Sequence, residues 1–298
     1  MSDTLVTHEP VVRQRTVAKA RVLLEALPYI REHRGSVIVV KVGGAAMAEP
    51  RLLAGLAQDV ALLWLAGVRV VMVHGGGPQI SSVSERLGLV PRFERGLRVT
   101  DAETLEVARM VLVGTVNKDL VGALSRQDVP AAGVSGDDAT LLLAVPRDES
   151  LGFVGRIVEV RPRLLETLMT GFIPVVASIA ADEGGQRYNV NADEAAAAVA
   201  AALGAAKLVY LTDVPGIVSD DEGVPHLLSE VPVGDCPGLV ASGVVRGGMV
   251  PKVEGCVRGL EAGVKRAHII DGRVEHSLVL EMLTPEGLGT MITRGVDA

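Results

Sequence analysis

The fold of this chain is restricted most by a unit that occurs twice near its start. In each copy an apolar, mostly β-branched run ends in consecutive glycines and leads into a helical pattern. The two runs are 36–44 (SVIVVKVGG) and 68–78 (VRVVMVHGGGP). Continuous apolar runs of this kind are typical of strands that are buried on both faces of a parallel sheet. The units therefore predict an α/β fold, with a mainly parallel sheet covered by helices on both faces.

The later chain continues this alternation. Further strands are predicted at 129–134, 141–145, 153–160, 173–179, 207–213, 266–271 and 290–293, and helices at 50–66, 162–170, 193–203 and 253–262. A chain of 298 residues can form one large domain or two lobes that share a deep cleft.

A helical extension is predicted ahead of this domain, at residues 12–34. Val17 and Leu24 lie on its apolar face, and Pro28 must end or kink it. This helix either packs on its own domain or forms an arm that packs on another subunit.

Composition disfavours several classes of function. The formal net charge of −7 disfavours a nucleic-acid partner, which would require a basic surface. The N-terminus lacks the apolar segment of a signal peptide, and the longest uncharged apolar stretch, 195–206, is too short to span a bilayer. Cys236 and Cys256 have neither CxxC nor histidine spacing, which indicates neither a disulfide framework nor a zinc site. A cytoplasmic protein without a membrane partner is predicted.

Both glycine turns predict anion binding. Backbone N–H groups at a strand-to-helix turn can face a phosphate, and Gly43–Gly44 and Gly75–Pro78 provide two such turns. Lys41 lies inside a buried run, where an ammonium group is unfavourable unless it faces an anion. The glycine-rich loop 243–249 delivers a second lysine, Lys252, to the start of a helix. The chain has no Walker A motif, and it has no GxGxxG motif with a following acidic residue.

Polar side chains are concentrated at Tyr188–Glu194 (YNVNADE), where a loop is predicted to become a helix. A helix N-cap requires one Asn or Asp, and this stretch has three. Earlier in the chain, Arg98 is suited to bidentate binding of a carboxylate. It stands just before Thr100 and Asp101, either of which can cap the following helix.

These residues favour phosphoryl transfer over other chemistry. No cysteine or serine is set up as a nucleophile, and no pair of glutamates indicates glycosidase chemistry. His74 is either an acid–base partner of Ser81 or a hydrogen-bonded histidine at a strand end. Phosphoryl transfer requires positive charge and backbone donors more than acid–base groups, because the protein mainly positions two anions and stabilises the transferred group.

Six motifs, in order, resemble those of the amino acid kinase family, and among its members those that phosphorylate N-acetyl-L-glutamate. They are KVGG (41–44), HGGGP (74–78), GLRVT (96–100), YNVNAD (188–193), LTDVPG (211–216) and GGMVPK (247–252). The resemblance runs from about residue 36 to the C-terminus. It implies a three-layer α/β/α sandwich, with an N-lobe of about 36–185 that binds acetylglutamate and a C-lobe of about 186–298 that binds ATP. Residues 1–35 would form the N-terminal extension with its kinked helix.

The resemblance also implies roles for individual residues. Lys41 and Lys252 would stabilise the transferring γ-phosphoryl group, and Asp193 would hold both lysines. Acetylglutamate would be bound by Gly76, Gly77, Arg98 and Asn189, and the nucleotide by Gly43, Gly44, Thr212, Asp213, Gly216 and Lys252. Mg²⁺ would enter with ATP and take no ligand from protein side chains. The reaction would phosphorylate the γ-carboxylate of acetylglutamate, the second step of arginine biosynthesis. It needs no general base, because the ionised carboxylate is itself the nucleophile.

The two ends of the chain resemble those of arginine-inhibited members that form ring-shaped hexamers. The N-terminal helix resembles the extension that links dimers into the ring, which implies a homohexamer built as a trimer of dimers. Glu281 would pair with the guanidinium group of L-arginine, and Lys207 and Gly287 would complete this effector pocket. The alternative is a C-terminal helix and loop that only pack on the domain.

Three other functions account for part of the sequence. Aspartate, glutamate and carbamate kinases share the fold, the glycine turns and the lysines, but should lack the combined GLRVT and YNVNAD motifs. An NAD-dependent oxidoreductase would explain the strand–glycine–helix units, but it gives no reason for Lys252 or Asp193. A non-catalytic arginine sensor would not need the complete set of catalytic positions.

Overall fold

The strand Val37–Val42 (β1) lies near the middle of a sheet that forms the core of the molecule. The computed structural model describes residues 17, 20–21, 23–44, 47, 49–221, 224–285 and 287–295. Within these ranges the sheet has eight strands, in the order Glu230–Pro232 (β14), Thr290–Thr293 (β16), Arg266–Asp271 (β15), Lys207–Thr212 (β11), β1, Arg69–His74 (β2), Ile173–Ala177 (β8) and Ala131–Ser135 (β5).

Strand direction in this sheet follows the predicted pattern. Six adjacent strands run parallel to one another, namely β15, β11, β1, β2, β8 and β5. β16 runs antiparallel to β15. Every residue of β1 and β11 is buried, as expected for central strands covered on both faces. The mainly parallel sheet is confirmed.

Helices cover both faces of the sheet. Those of the described residues are Leu27–His33 (α1), Pro50–Leu65 (α2), Gly77–Arg86 (α3), Ala102–Arg109 (α4), Asn117–Ser125 (α5), Arg163–Leu168 (α6), Ala192–Ala202 (α7), Cys236–Ala241 (α8), Val250–Glu261 (α9) and Ser277–Leu283 (α10). Ile38, Val40 and Val42 pack with α2, α5 and α10, whereas Val37 and Val39 pack with α7 and α9. Alternate residues of one strand therefore enter two separate cores, which confirms the three-layer sandwich.

A second, smaller sheet lies beside the first. Within the described residues it has four strands, Leu142–Pro146 (β6), Val154–Val160 (β7), Ile179–Ala181 (β9) and Arg187–Val190 (β10), which close into a small barrel. A short hairpin, Phe93–Glu94 (β3) and Leu97–Arg98 (β4), carries the arginine of the GLRVT motif. β10 runs directly into α7 and so leads the chain to the polar cluster.

The structure differs from the sequence-based description in several places. Residues 187–190 form a strand and not a loop, because their backbone pairs with β7 and β9. The helix predicted after Thr100 and Asp101 continues beyond α4, through a π-helical segment at Met110–Val116, into α5. The hairpin Val218–Asp221 (β12) with Val224–Leu227 (β13) was not predicted, because its short, largely exposed sequence has no apolar run.

The predicted extension is described only in part. Residues 1–16, which include the start of the predicted helix, lie outside the described residues. Helical residues 23–25 reach a turn at Ala26, and α1 then begins with Pro28 in its first turn. In the part of the chain that the structure describes, no helix is long and apolar enough to cross a membrane.

Candidate active site

Two lysines converge on one buried carboxylate at the ends of β1, α7 and α9. Lys41 Nζ lies 2.7 Å from Asp193 Oδ1, and Lys252 Nζ lies 3.0 Å from Asp193 Oδ2. Lys252 also donates to the carbonyl of Gly248 at 3.3 Å. Burial opposes ionisation of Asp193, but the charges of Lys41 and Lys252 outweigh it and lower the pKa of the carboxyl. One negative and two positive charges leave a net positive centre, which suits a polyanionic ligand.

Asn191 fixes the position of this carboxylate. Its side-chain oxygen accepts from the backbone N–H groups of Asp193 at 2.8 Å and Glu194 at 3.2 Å, so Asn191 is the N-cap of α7. This leaves the Asp193 side chain free to accept from the lysines. The three polar residues of the cluster therefore have different positions. Asn191 caps α7, Asp193 faces the lysines and Asn189 faces an open cleft.

The cleft beside Asp193 contains the predicted acetylglutamate residues. Its lining includes Lys41, Gly43, Gly44, Gly76, Gly77, Arg98, Ser178, Asn189 and Asp193. Arg98 is buried and donates to the Gly77 carbonyl at 2.9 Å and to Ser81 Oγ at 2.7 Å, and its guanidinium lies 4.7 Å from the centre of the Phe93 ring. Its second terminal nitrogen, Nη1, is buried and has no hydrogen-bond partner among the described residues. A buried guanidinium with an unused donor is suited to a carboxylate.

The glycine turns allow close packing around this cleft. A Cβ on Gly44 would lie 2.9 Å from the Pro78 ring, and a Cβ on Gly76 would lie 2.7 Å from Leu112 in the π-helical segment. Gly43 and Gly44, which were assigned to the nucleotide, line the cleft that contains Lys41 and Arg98. They are not part of the cavity at Thr212–Gly216.

His74 has a structural environment. Its Nδ1 lies 3.0 Å from the Gly75 carbonyl and its Nε2 lies 3.1 Å from the side-chain amide of Asn117, and the ring is fully buried. Burial lowers the pKa of His74 to about 4. Ser81 donates nothing to it and instead accepts from Arg98. The geometry favours the strand-end interpretation over acid–base chemistry.

A second cavity lies at the exit of β11. Its lining includes Thr212, Asp213, Gly216, Arg246, Met249 and Lys252. Gly216 has a φ of +148°, and a Cβ there would lie 2.6 Å from Thr290 Oγ1, so this turn requires glycine. Lys252 lines this cavity and also contacts Asp193, whereas Lys41 lines the first cleft. The Lys41–Asp193–Lys252 cluster therefore lies where the two spaces meet.

The predicted effector residues lie together in a third cleft, which also contains Tyr29 and His33 from α1 and His268 from β15. Glu281 Oε1 lies 2.6 Å from His268 Nδ1, and its Oε2 accepts from the backbone N–H groups of Leu288 and Gly289. Gly287 has a positive φ and approaches the same carboxylate. Lys207 is buried at the start of β11 in the same cleft.

Several residues of these sites carry no clear sequence signal. Ser81 and Phe93 hold the Arg98 guanidinium, and Arg246 and Met249 line the second cavity. Phe93 is the more detectable of them, because aromatic residues are rare in this chain and it stands five positions before Arg98. Asp101 proves to be the cap of α4, since its Oδ1 accepts from the Thr104 N–H at 2.9 Å.

Comparison with known proteins agrees with this geometry. The Amino acid kinase family matches residues 36–271 of this chain. The chain is 48% identical to acetylglutamate kinase of Nostoc punctiforme over 283 residues, 94% of this chain and 95% of that protein. The solved N-acetylglutamate synthase of Neisseria gonorrhoeae, complexed with coenzyme A and N-acetyl-glutamate, is 30% identical with a TM-score of 0.83, covering 93% of this chain and 64% of that chain.

Carbamate kinase of Giardia lamblia, bound to AMP-PNP, is more distant. It is 18% identical with a TM-score of 0.65, covering 87% of this chain and 99% of that chain, a similarity of fold alone. The 48% identity has more weight, because it extends over nearly the whole length of both proteins. All six motifs lie within the family match at residues 36–271. The chain belongs to the amino acid kinase family, and within it to the acetylglutamate kinases.

Proposed function

We propose that this protein transfers the γ-phosphoryl group of ATP to the γ-carboxylate of N-acetyl-L-glutamate, a step of arginine biosynthesis. The observation that carries the proposal is the position of Asp193 with its two lysines, between the Arg98 cleft and the Thr212–Gly216 cavity. Two anionic substrates entering from these two sides would meet at the net positive centre.

The chemistry follows from this charge arrangement. A carboxylate oxygen attacks the γ-phosphorus, the bond from that phosphorus to the β–γ bridging oxygen breaks, and ADP leaves with the electron pair. In the transition state negative charge is spread over the oxygens of the transferred group and develops on the leaving oxygen of ADP, and Lys41 on one side and Lys252 on the other stabilise it. Asp193 holds both ammonium groups in advance of binding, and little reorganisation is needed during the reaction.

Acetylglutamate is proposed to bind with a carboxylate on Arg98. Arg98 and Asn189 both line the cleft, and Gly77, whose carbonyl accepts from Arg98 at 2.9 Å, lines it beside them together with Gly76. The unused Nη1 of Arg98 leaves one donor for a substrate carboxylate. The side-chain amide of Asn189 donates a long hydrogen bond, 3.3 Å to Thr100 Oγ1, which it can exchange for one to the substrate.

ATP is proposed to occupy the cavity of Thr212, Asp213 and Gly216, with its phosphates directed toward Gly43 and Gly44 at the end of β1. Magnesium fits as an ion carried by the nucleotide phosphates. The Asp193 carboxylate is already paired with two ammonium groups, and the described residues contain no group of three or more ligating side chains. The bound ion would neutralise phosphate charge.

A coupled assay of ADP release tests this function. Release should require acetylglutamate and should be weak with aspartate, glutamate or carbamate at the same concentration. A preference for one of those three acids would replace the proposed substrate within the same family. Release that no acid stimulates would contradict the reaction itself.

Feedback inhibition by L-arginine and a homohexameric ring complete the proposal, together with a cytoplasmic location. Lys207, Glu281 and Gly287 share one cleft, which supports a site for a guanidinium ligand. Val17, Leu23 and Leu24 expose 52%, 73% and 61% of their surface on the extension, which supports a helix that packs on another subunit. Sedimentation of a variant lacking residues 1–26 should show dimers, and an intact hexamer would contradict the arm.

A further inference from the structure

A buried hydroxyl group lies beneath the lysine–carboxylate cluster, and the reaction as derived above does not use it. Tyr210 of β11 has no exposed surface, and its hydroxyl donates to the backbone carbonyl of Asp193 at 2.9 Å. Burial raises the pKa of Tyr210 well above its ordinary value, so the hydroxyl keeps the proton that it donates. A polar group buried this deeply is normally held by a specific partner.

Tyr210 adjoins all three elements that carry the cluster. Its register partner on the neighbouring strand β1 is Lys41, so both side chains leave the sheet on the same face. Its hydroxyl reaches the first turn of α7, where Asp193 lies. On α9, Gly255 packs on the same hydroxyl, and it stands three positions after Lys252.

The Tyr210 hydroxyl packs tightly against Gly255 of α9. A Cβ added to Gly255 would lie 2.3 Å from the Tyr210 hydroxyl oxygen, and 3.2 Å from the ring carbon Cζ that bears it. The distance from α9 to α7 at this level is therefore set by the tyrosine hydroxyl against a glycine. The same distance decides whether Lys252 can reach Asp193 while Lys41 does so from the other side.

We propose that Tyr210 is a positioning residue, whose hydroxyl and its contact with Gly255 hold α7 and α9 at the separation that lets Asp193 take both lysines. Tyr210 touches neither substrate, and it acts on the transferred group only through Asp193 and Lys252. This inference rests on the proposed function, because it assigns Tyr210 to the geometry of that reaction.

Two single variants and their combination test the coupling. Tyr210→Phe removes the hydroxyl and should lower kcat by about three- to tenfold, the equivalent of one neutral hydrogen bond. Gly255→Ala should lower kcat by about a hundredfold, because it displaces Lys252 from Asp193. In the double variant the 2.3 Å clash with the hydroxyl is removed, and the new methyl group meets the ring carbon at 3.2 Å and the Asp193 carbonyl at 3.6 Å, so kcat should rise severalfold above that of Gly255→Ala alone. Two losses that simply multiply would overturn the proposal.

A matched control lies on the same helix. A Cβ added to Gly259, one turn beyond Gly255, would meet Leu208 at 3.4 Å, an ordinary contact, so Gly259→Ala should keep kcat within about twofold of the wild type. All variants are assayed well below their lowest melting temperature. KM for acetylglutamate should stay nearly constant, because Arg98 and Asn189 do not contact Tyr210.

The outcomes separate this inference from the function on which it rests. If the wild type does not phosphorylate acetylglutamate, the proposed function is wrong. If it does, but Tyr210→Phe lowers only the melting temperature and keeps kcat, the tyrosine is a core residue and the inference is wrong. If Gly255→Ala does not fold, Tyr210→Phe still decides, since its kcat must fall at an unchanged KM for acetylglutamate.

Discussion

Asp193 and Glu281 are two buried carboxylates that the same fold uses in opposite ways. Both have a lowered pKa although burial opposes their ionisation. Asp193 is stabilised by two ammonium groups, whereas Glu281 is stabilised by His268 and by the backbone N–H groups of Leu288 and Gly289. The first cluster has a surplus of positive charge. In the second, the groups that hydrogen-bond the carboxylate are neutral donors, and Lys207, a cation of the same cleft, forms no ion pair with it among the described contacts.

The difference shows that the partners of a buried carboxylate decide what it can bind. Two fixed lysines give the Asp193 cluster a net positive charge that suits an anion such as phosphate, and the carboxylate there contacts both ammonium groups. Burial lowers the pKa of His268, so at neutral pH its Nδ1–H donates without adding charge. Glu281 is therefore suited to receive a cationic ligand such as a guanidinium group.

The largest expected effect comes from removing a charge at the Asp193 cluster. Lys41→Met should lower kcat by about a hundredfold or more, because a preorganised positive group is lost where charge develops. The measurement is the initial rate of ADP release at saturating substrates. The exposed Lys265→Met should keep the wild-type rate. A near-normal kcat in Lys41→Met would remove the distinction between the two clusters.

Arg98→Lys tests the substrate side of the same cluster. Lysine cannot reproduce the fork that holds Gly77, Ser81 and a free Nη1 at once, so KM for acetylglutamate should rise by about tenfold or more. KM for ATP should change much less. Ser81→Ala keeps the guanidinium and removes one support, and should raise the same KM by a smaller factor. Equal changes in both KM values would mean that the two substrates are assigned to the wrong spaces.

The Glu281 cluster is tested by its response to L-arginine. Glu281→Gln should raise the arginine concentration needed for half inhibition by about tenfold or more, because a charge-assisted pair becomes a neutral one. The rate without arginine is the internal reference. Glu261 is an exposed glutamate at the end of α9, and the Glu261→Gln variant should be inhibited by L-arginine as strongly as the wild type. Unchanged inhibition in Glu281→Gln would leave this cluster as a packing element.

The smallest effect is a pH dependence that belongs to the Glu281 cluster. Because the pKa of His268 is lowered in the folded protein, the unfolded chain binds more protons once the pH falls below the ordinary value of 6.5. The stability that neutral His268 contributes is therefore present above that pH and is lost as the pH falls through its folded pKa.

Urea unfolding at pH 7 and pH 5 measures this loss. The free energy of unfolding should fall less in His268→Asn than in the wild type. An identical fall in both would show that His268 does not titrate differently in the folded state. The pKa of Asp193 is lowered from 3.8, so its contribution to stability is lost only at a more acidic pH than this interval.

Much of the fold could be predicted because its signals are local. The apolar runs that became β1, β2, β8, β11 and β15 need only burial on two faces, and the glycine turns need only close packing. The short strands β3, β4, β12, β13 and β14 escaped prediction, because pairing with a neighbour and not their own sequence makes them strands. The same is true of β10, whose residues were predicted as a loop.

The sequence by itself determined which residues are unusual, namely a lysine inside a buried strand, an arginine before a helix cap and three polar residues where one would cap. Only the tertiary structure decided which of these residues contact one another. It placed Asn191 as the cap of α7, aligned Tyr210 beside Lys41, and brought Lys252 to Asp193 by packing α9 on α7. The physical reason is that local conformation depends on residues that are close in the sequence. A charge cluster depends instead on how the sheet packs distant segments of the chain against one another.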